Sequence, residues 1–450
     1  MKRRKALRMR KVKSRSLSIY ILVAVAILGM GFYVVRYIVF GSQWASAPFN
    51  QTVFQRGILN IGVVTDRNGV ILADVTDGKR TFANNANVRR ATLHVVGDLE
   101  GNVGTGALSA FASDLAGFNL FTGSYSFYSS GSRVELTIDS ELNTIAHRAL
   151  DGRRGVVLVS NYKTGEILCM VSNPTFDPAN PPDAATISAL VDPYVNHAIQ
   201  STFAPGSTFK LVTAAAAIEQ LNRVYDFVFE CTGSVEVGND ALICRHGPHG
   251  TIDIERGMRV SCNIVFGELA LLLGADILAE YAGKYDLSGS ISVSGIRTRS
   301  GRFDKSPDDS IFLAWSGIGQ HNNEVCPAAM LRFVSAIASE GRAAPLYYSK
   351  RTGLSSLFPV SSERIINRET SIMLNDLLDI PENQTISGFD IRAKTGTAQI
   401  RDRESHAWYA GYIANPDFPY AFVVMVEHGG SGASVARPIA TRVLQTVIGR

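Results

Sequence analysis

The run Ile19–Phe40 sets the first limit on how this chain can fold: twenty-two residues with a single charge, Arg36, near its end. In hydrocarbon every backbone N–H and C=O has to be paired within the segment, so such a run is a helix. At about 1.5 Å per residue it spans roughly 33 Å, against a hydrocarbon core of about 30 Å. Arg36 is close enough to the end for its guanidinium to reach the interface. Ahead of the run, nine Lys and Arg and no acid fall within Met1–Arg15. By the positive-inside rule residues 1–18 read as a cytoplasmic basic tail, residues 19–40 as one plasma-membrane anchor, and everything after Phe40 as extracytoplasmic. A cleaved signal peptide is the competing reading, but the apolar run exceeds the usual signal core and only a poor small-x-small site, Ala45-Ser46-Ala47, follows it.

The charge balance changes once that tail is set aside. The chain carries 44 basic and 40 acidic residues, and removing the nine leaves 35 against 40, so the folded part is mildly acidic and a nucleic-acid role has no support. With 450 residues, 46% of them hydrophobic, there is enough apolar material for two or three domains. Five cysteines (Cys169, Cys231, Cys244, Cys262, Cys326) are few and odd in number for an exported chain. Cys231 and Cys244 bracket a hairpin-like segment, which leaves a disulfide between them open. A metal site around Cys244-Arg245-His246 and His249 is disfavoured because no second ligand pair follows at zinc-finger spacing. No metal and no cofactor are expected.

Between the anchor and residue 132, short apolar runs alternate with turns such as Asp66-Arg67-Asn68-Gly69 and Gly101-Asn102-Val103-Gly104. Asn-Gly between apolar stretches marks a hairpin, so residues 41–132 read as a small membrane-proximal pedestal of short strands with one helix near Ala107–Ala116. Residues 133–450 form the main domain. It opens with an alternating strand Arg133–Asp139, whose last residue caps a helix over Ser140–Leu150. Gly155–Ser160 and Glu166–Ser172 follow as a hairpin, and a mainly helical region runs from about Asn196 to Leu378. Three strands (Gly388–Ile400, His406–Ala414, Tyr420–His428) and a helix over Val435–Val447 end the chain. Strands early, a helical insertion and strands late imply an α+β fold, with one antiparallel five-stranded sheet assembled from both ends of the domain and helices on both faces.

Within the helical region Pro205-Gly206-Ser207-Thr208-Phe209-Lys210 makes a turn before an Ala/Leu/Ile run of high helix propensity. Ser207 and Lys210, at i and i+3, then share one face. An amine whose pKa is lowered can take the proton of a serine hydroxyl, and a helix N-terminus supplies N–H groups where an oxyanion develops. Ser-x-x-Lys alone arises about once or twice by chance in a chain of this length, and Ser160-Asn161-Tyr162-Lys163 is one such match, in the hairpin turn. Two further triplets accompany the first: Ser261-Cys262-Asn263, 54 residues on, and Lys394-Thr395-Gly396-Thr397, another 133 residues beyond. Singly, Ser261 reads as a helix cap, Asn263 as a turn residue and Lys394 as a solvated charge. Their order together reverses those readings.

From Arg133 to Arg450 the chain resembles the transpeptidase domain of class B penicillin-binding proteins, monofunctional enzymes that cross-link peptidoglycan. The resemblance implies a penicillin-binding, serine β-lactamase-like fold with a helical subdomain. It implies that Ser207 is acylated by a D-Ala-D-Ala stem peptide or a β-lactam antibiotic, that Lys210 takes its proton, and that Ser261 relays a proton to the leaving amine. Asn263 would bind a substrate amide, and Lys394 would lower the pKa of Lys210 and attract the terminal carboxylate, to which Thr395 and Thr397 offer hydroxyls. Gly396 would let the substrate backbone approach, and the N–H groups of Ser207 and Thr397 would form the oxyanion hole. Trp315-Ser316-Gly317-Ile318-Gly319-Gln320 and His406-Ala407-Trp408-Tyr409 match structural segments of the family, and Cys262 is a buried hydrophobe. The implied membrane partner is a SEDS-family glycan polymerase.

The family's membrane-proximal opening is matched at Gly62–Gly69, but Asn60-Ile61 departs from it and Arg56-Gly57 is displaced upstream. The short pedestal, and a chain that ends soon after its last helix, resemble the smaller Gram-positive members. Two other outcomes remain on the same fold: hydrolysis, as in a carboxypeptidase or β-lactamase, and a non-catalytic scaffold for the polymerase. Neither Glu268 nor Glu280 has Asn four residues on, which disfavours a class A lactamase.

Overall fold

A computed structural model describes residues 2–45, 54–55, 58–59, 61–115, 118–119, 124–125, 133–308, 310–351 and 361–449. Ser46, Ala47, Arg56, Gly57 and Asn60, on which the signal-site and family-opening readings rest, lie outside them. Helix α1 (Lys2–Ala45) carries the apolar run. Its segment Arg15–Gly41, 27 residues of mean hydropathy 2.3, is long and apolar enough to cross a membrane.

The membrane-proximal sheet contains β1 (Val63–Thr65), β2 (Ile71–Thr76), β3 (Lys79–Phe82) and, parallel to β1, β4 (Arg133–Glu135), in the order β3-β2-β1-β4. Helix α2 (Ala86–Val96) follows β3, and the helix expected near Ala107–Ala116 is two short turns, Ala107–Ala110 and Ala112–Leu115, broken at Phe111. The expected strand Arg133–Asp139 is therefore shorter, and it pairs with the membrane-proximal sheet. Register explains why: Val63↔Arg133, Val64↔Val134 and Thr65↔Glu135 bury Val64 and Val134 in one core. Asp66, fully buried in the β1–β2 turn, accepts from the N–H groups of Asn68 and Val70 with Oδ1 and from the Ser140 hydroxyl with Oδ2. The Asp-Arg-Asn-Gly turn thus ties the small sheet to the start of α3 (Ser140–Leu150). Asp139 caps that helix by accepting from the N–H groups of Glu141 and Leu142.

The central sheet is antiparallel throughout and runs β6-β5-β13-β12-β11. Its strands are β5 (Gly155–Asn161) and β6 (Ile167–Asn173) from early in the chain, and β11 (Ile391–Ile400), β12 (Arg403–Ile413) and β13 (Tyr420–Val426) from its end. Strand β12 starts at Arg403, three residues before the expected His406, because the turn needs only Arg401 and Asp402. Period-two alternation divides the sheet between two cores. Val157, Val159, Tyr409 and Val424 pack against α3 and α8 (Arg437–Ile448), whereas Val156, Leu158, Trp408 and Val423 join the larger core of the helical region. That region holds α4 (Lys210–Gln220), four short strands β7 (Phe229–Cys231), β8 (Ser234–Val237), β9 (Asp240–Ile243) and β10 (Gly250–Ile252), and the helices α5 (Asn263–Leu273), α6 (Ile311–Gly317) and α7 (Pro327–Ala338). The β8–β9 pair is the hairpin expected between Cys231 and Cys244, whereas the pairing of β7 with β10 has no sequence signal, since each strand is only three residues long.

Strand β11 is one edge of the sheet, and the turn ahead of α4 packs on it. Trp408 on β12 donates from Nε1 to the Ala204 carbonyl at 2.9 Å, and the Gly206 N–H donates to the Gly319 carbonyl at 2.8 Å.

Candidate active site

Residues Gly206–Phe209 form a 3₁₀ turn and α4 begins at Lys210, so Ser207 precedes the helix instead of sitting within its first turn. In a 3₁₀ turn side chains at i and i+3 eclipse, so Ser207 and Lys210 remain on one face. Gly206 adopts φ +54°, and a Cβ there would stand 3.0 Å from the carbonyl of Thr397. Only glycine lets the turn lie this close to β11.

Three segments meet beside that turn. Lys210 Nζ donates to the Ser261 carbonyl at 2.6 Å, the Asn263 Oδ1 at 2.9 Å and the Ser261 hydroxyl at 3.2 Å. Lys394 Nζ donates to the same hydroxyl at 2.8 Å and to the Thr395 carbonyl at 3.2 Å. Both lysines are buried. Burial pushes the Lys210 pKa well down and the Lys394 charge lowers it further, while burial brings Lys394 to about 7. Ser261 is held at φ +55°, in the left-handed region, at the entrance to α5. Asn263 is anchored by donating from Nδ2 to the Ile243 carbonyl at 2.9 Å.

On the edge strand, Lys394 and Gly396 pair with Ala410 and Trp408 and so face the helical region. The absent side chain of Gly396 has a local reason besides substrate approach: a Cβ there would stand 2.8 Å from the Pro205 carbonyl oxygen and 3.1 Å from Thr208 Cγ2. Thr395 and Thr397 line a cleft of about 150 Å³ together with Ser207, Ser261 and Asn263. Arg245, His246, Trp315, Gln320, Gln399 and Ser431 complete much of its wall. Among the described residues no group hydrogen-bonds the Ser207 hydroxyl, which leaves it open to the cleft. Ser160 and Lys163, the chance match, lie in the β5–β6 hairpin outside this constellation.

Sequence reasoning missed Arg245, His246 and Ser431 as cleft residues. Gln399, with its amide oxygen turned to the guanidinium, accepts from Arg245 across the cleft. The Gly429-Gly430-Ser431-Gly432 run was the available signal for the far wall, since a Cβ on Gly432 would stand 2.5 Å from the Gly396 carbonyl oxygen. The loop after Trp315 contributes Gln320, whose side-chain oxygen accepts from the Gln399 N–H at 3.1 Å. All five cysteines are free thiols, so the disulfide left open between Cys231 and Cys244 is not formed; each of those sulfurs faces His249 instead. Cys262 is fully buried.

Comparison with known proteins bears on the family and the fold. Peptidoglycan D,D-transpeptidase PbpA of Mycolicibacterium smegmatis is 29% identical over 353 aligned residues, covering 69% of this chain and 71% of that protein. Stage V sporulation protein D of Bacillus subtilis is 29% identical, over 70% of this chain and 53% of its own length. The crystal structure of PBPA from Mycobacterium tuberculosis has the same fold, with a TM-score of 0.74 at 24% identity, covering 86% of this chain and 99% of that one. Residues 155–445 match the penicillin binding protein transpeptidase domain. Because that match spans well over half of its length, the chain belongs to the penicillin-binding protein transpeptidase family.

Proposed function

We propose that this chain is a membrane-anchored serine D,D-transpeptidase that cross-links peptidoglycan and is acylated by β-lactams, with Ser207 as nucleophile. The observation that carries the reading is the convergence of Lys210, Ser261, Asn263 and Lys394 beside a serine hydroxyl that faces a cleft. Neutral Lys210 takes the Ser207 proton as Oγ attacks the penultimate D-Ala carbonyl, and the N–H groups of Ser207 and Thr397 hold the oxyanion. Ser261 passes a proton to the departing D-Ala amine and is reprotonated from Lys210. An acceptor amine then attacks the ester, loses its proton along the same path, and restores the Ser207 hydroxyl. Lys394 as a cation, with Thr395 and Thr397, holds the terminal carboxylate of the donor; a β-lactam offers its carbonyl and carboxylate to the same groups. Fluorescent penicillin tests this on the full chain in detergent. A stable adduct absent from Ser207→Ala supports it; an unlabelled wild type, or label lost within minutes, sinks the transpeptidase assignment.

The same reading extends to topology and partners. The nine basic residues of the tail support a cytoplasmic N-terminus, with residues 41–132 as a pedestal that holds the catalytic domain away from the membrane. Exposed apolar side chains along α1 and the presence of a small membrane-proximal sheet support docking on a SEDS-family glycan polymerase. Co-purification from membranes that depends on α1 would support this, and a polymerase fully active without the chain would refute it.

A further inference from the structure

We propose that Cys231, Cys244, His249 and Cys262 form a tetrahedral zinc site that fixes the Ser261–Asn263 turn and the Arg245 wall of the cleft. Their three sulfurs and the His249 nitrogen lie within 4.8 Å of one another. His249 Nδ1 is 3.4 Å from Cys231 Sγ and 3.6 Å from Cys244 Sγ, and Cys244 Sγ is 3.8 Å from Cys262 Sγ. With Zn–S near 2.3 Å and Zn–N near 2.0 Å, tetrahedral geometry requires sulfur–nitrogen edges of about 3.6 Å and sulfur–sulfur edges of about 3.8 Å. The three observed edges match that figure, and soft thiolate and imidazole donors select zinc over harder cations.

The four donors come from four segments. Twelve residues separate Cys231 from Cys244, four separate Cys244 from His249, and twelve separate His249 from Cys262. This is unlike finger spacing, the ground on which a metal around Cys244-Arg245-His246 and His249 is disfavoured from the sequence alone. Tertiary structure closes the set. Pairing of β7 with β10 sets Cys231 opposite Gly250, next to His249; Cys244 follows β9; and Cys262 is the residue before α5. Gly247 keeps the intervening loop tight, since a Cβ there would meet Cys231 Sγ at 3.1 Å. Packing alone accounts for buried thiols, but it does not account for an imidazole nitrogen directed at two of them.

The position gives the site a consequence. Cys262 stands between Ser261 and Asn263, and Cys244 stands between Ile243, whose carbonyl anchors Asn263, and Arg245 in the cleft wall. One ion would thus clamp both sides of the turn that carries the proton relay, while touching no reacting atom. The ligands are positioning residues.

The test uses the full chain in detergent, kept reduced and refilled with zinc, then dialysed. The result expected is one zinc per chain by elemental analysis, falling to none in Cys231→Ser and His249→Gln. Wild-type protein refilled with cobalt shows sulfur-to-cobalt charge transfer and tetrahedral d–d bands, which keeps the test valid if a variant fails to fold. Penicillin acylation slows about tenfold when zinc is stripped and recovers when it is restored. Metal content and cobalt spectra do not depend on acylation, so they stand apart from the transpeptidase reading. Substoichiometric zinc in refilled wild type overturns the proposal, as does a disulfide among these cysteines in protein isolated without reductant. Equal acylation with and without zinc overturns the positioning role.

Discussion

Lys210 and Lys394, 184 positions apart in the chain, direct their buried ammonium groups at one hydroxyl, that of Ser261, from 3.2 and 2.8 Å. Two like charges around a shared acceptor cannot both be retained in a dry site at neutral pH, so the pair loses a proton readily, and it is Lys210 that is pushed down by its neighbour. The arrangement yields one neutral base and one cation.

Acylation by penicillin is therefore expected to follow a bell against pH. The rising limb reports loss of the Lys210 proton and the falling limb reports loss of the Lys394 charge, which is half complete near pH 7 in the free enzyme. Lys394→Ala removes both the carboxylate anchor and the field on Lys210. It is expected to lower the second-order acylation constant about 10²- to 10⁴-fold and to move the rising limb to higher pH. A rising limb that stays in place would show that Lys394 does not tune Lys210.

Burial of Lys394 also leaves a mark on stability. Its folded pKa of about 7 lies below the ordinary lysine value of 10.5 because the ammonium is buried. Below about pH 7 both folded and unfolded states carry the proton and the folded state bears the full desolvation cost. Between about 7 and 10.5 only the unfolded state keeps the proton, and the cost fades as pH rises. Lys394→Met is expected to raise the melting temperature most at or below pH 7, with the gain shrinking toward pH 10. A pH-independent gain would contradict the depressed pKa.

Ser261 holds φ +55° without being glycine. Ser261→Gly and Ser261→Ala both remove the shared hydroxyl and are expected to slow acylation at least about 10²-fold. They differ in stability, because glycine relieves a left-handed strain of about 1 kcal/mol that alanine keeps. Chemical denaturation of the two variants side by side measures that difference.

Gly396→Ala would drive a Cβ to 2.8 Å from the Pro205 carbonyl oxygen and 3.0 Å from Trp408 Cβ. The turn carrying Ser207 has to move off the strand, and a shift of about 1 Å at a nucleophile costs about 10²-fold. Slow labelling by penicillin with an intact circular dichroism spectrum is the expected outcome.

Asp66→Ala is expected to act at a distance from the chemistry. It strands the Asn68 and Val70 N–H groups and the Ser140 hydroxyl, at a cost of about 1–3 kcal/mol. Limited proteolysis is expected to open the membrane-proximal sheet first, while acylation of Ser207 stays near the wild-type rate.

What could be read from the chain directly is what a few neighbouring residues decide. A twenty-two-residue run broken only by Arg36 has to be helical in lipid, Asp139 caps the helix that follows it, and the unbroken apolar run Val156–Val159 marks a strand with two buried faces. Ser207 and Lys210 share a face because they are three residues apart, whichever kind of helical turn holds them. The order of the three motifs made their meeting an expectation, but order carries no distances. The meeting depends on β11 closing the sheet from the far end of the chain, on Gly206 and Gly396 letting a turn press against that strand, and on the left-handed backbone of Ser261. Pairing of Arg133–Glu135 with β1, and the gathering of three cysteines around His249, have the same origin. Such contacts are set by long-range burial and strand register, whose energies belong to pairs of segments and leave no periodicity in either one.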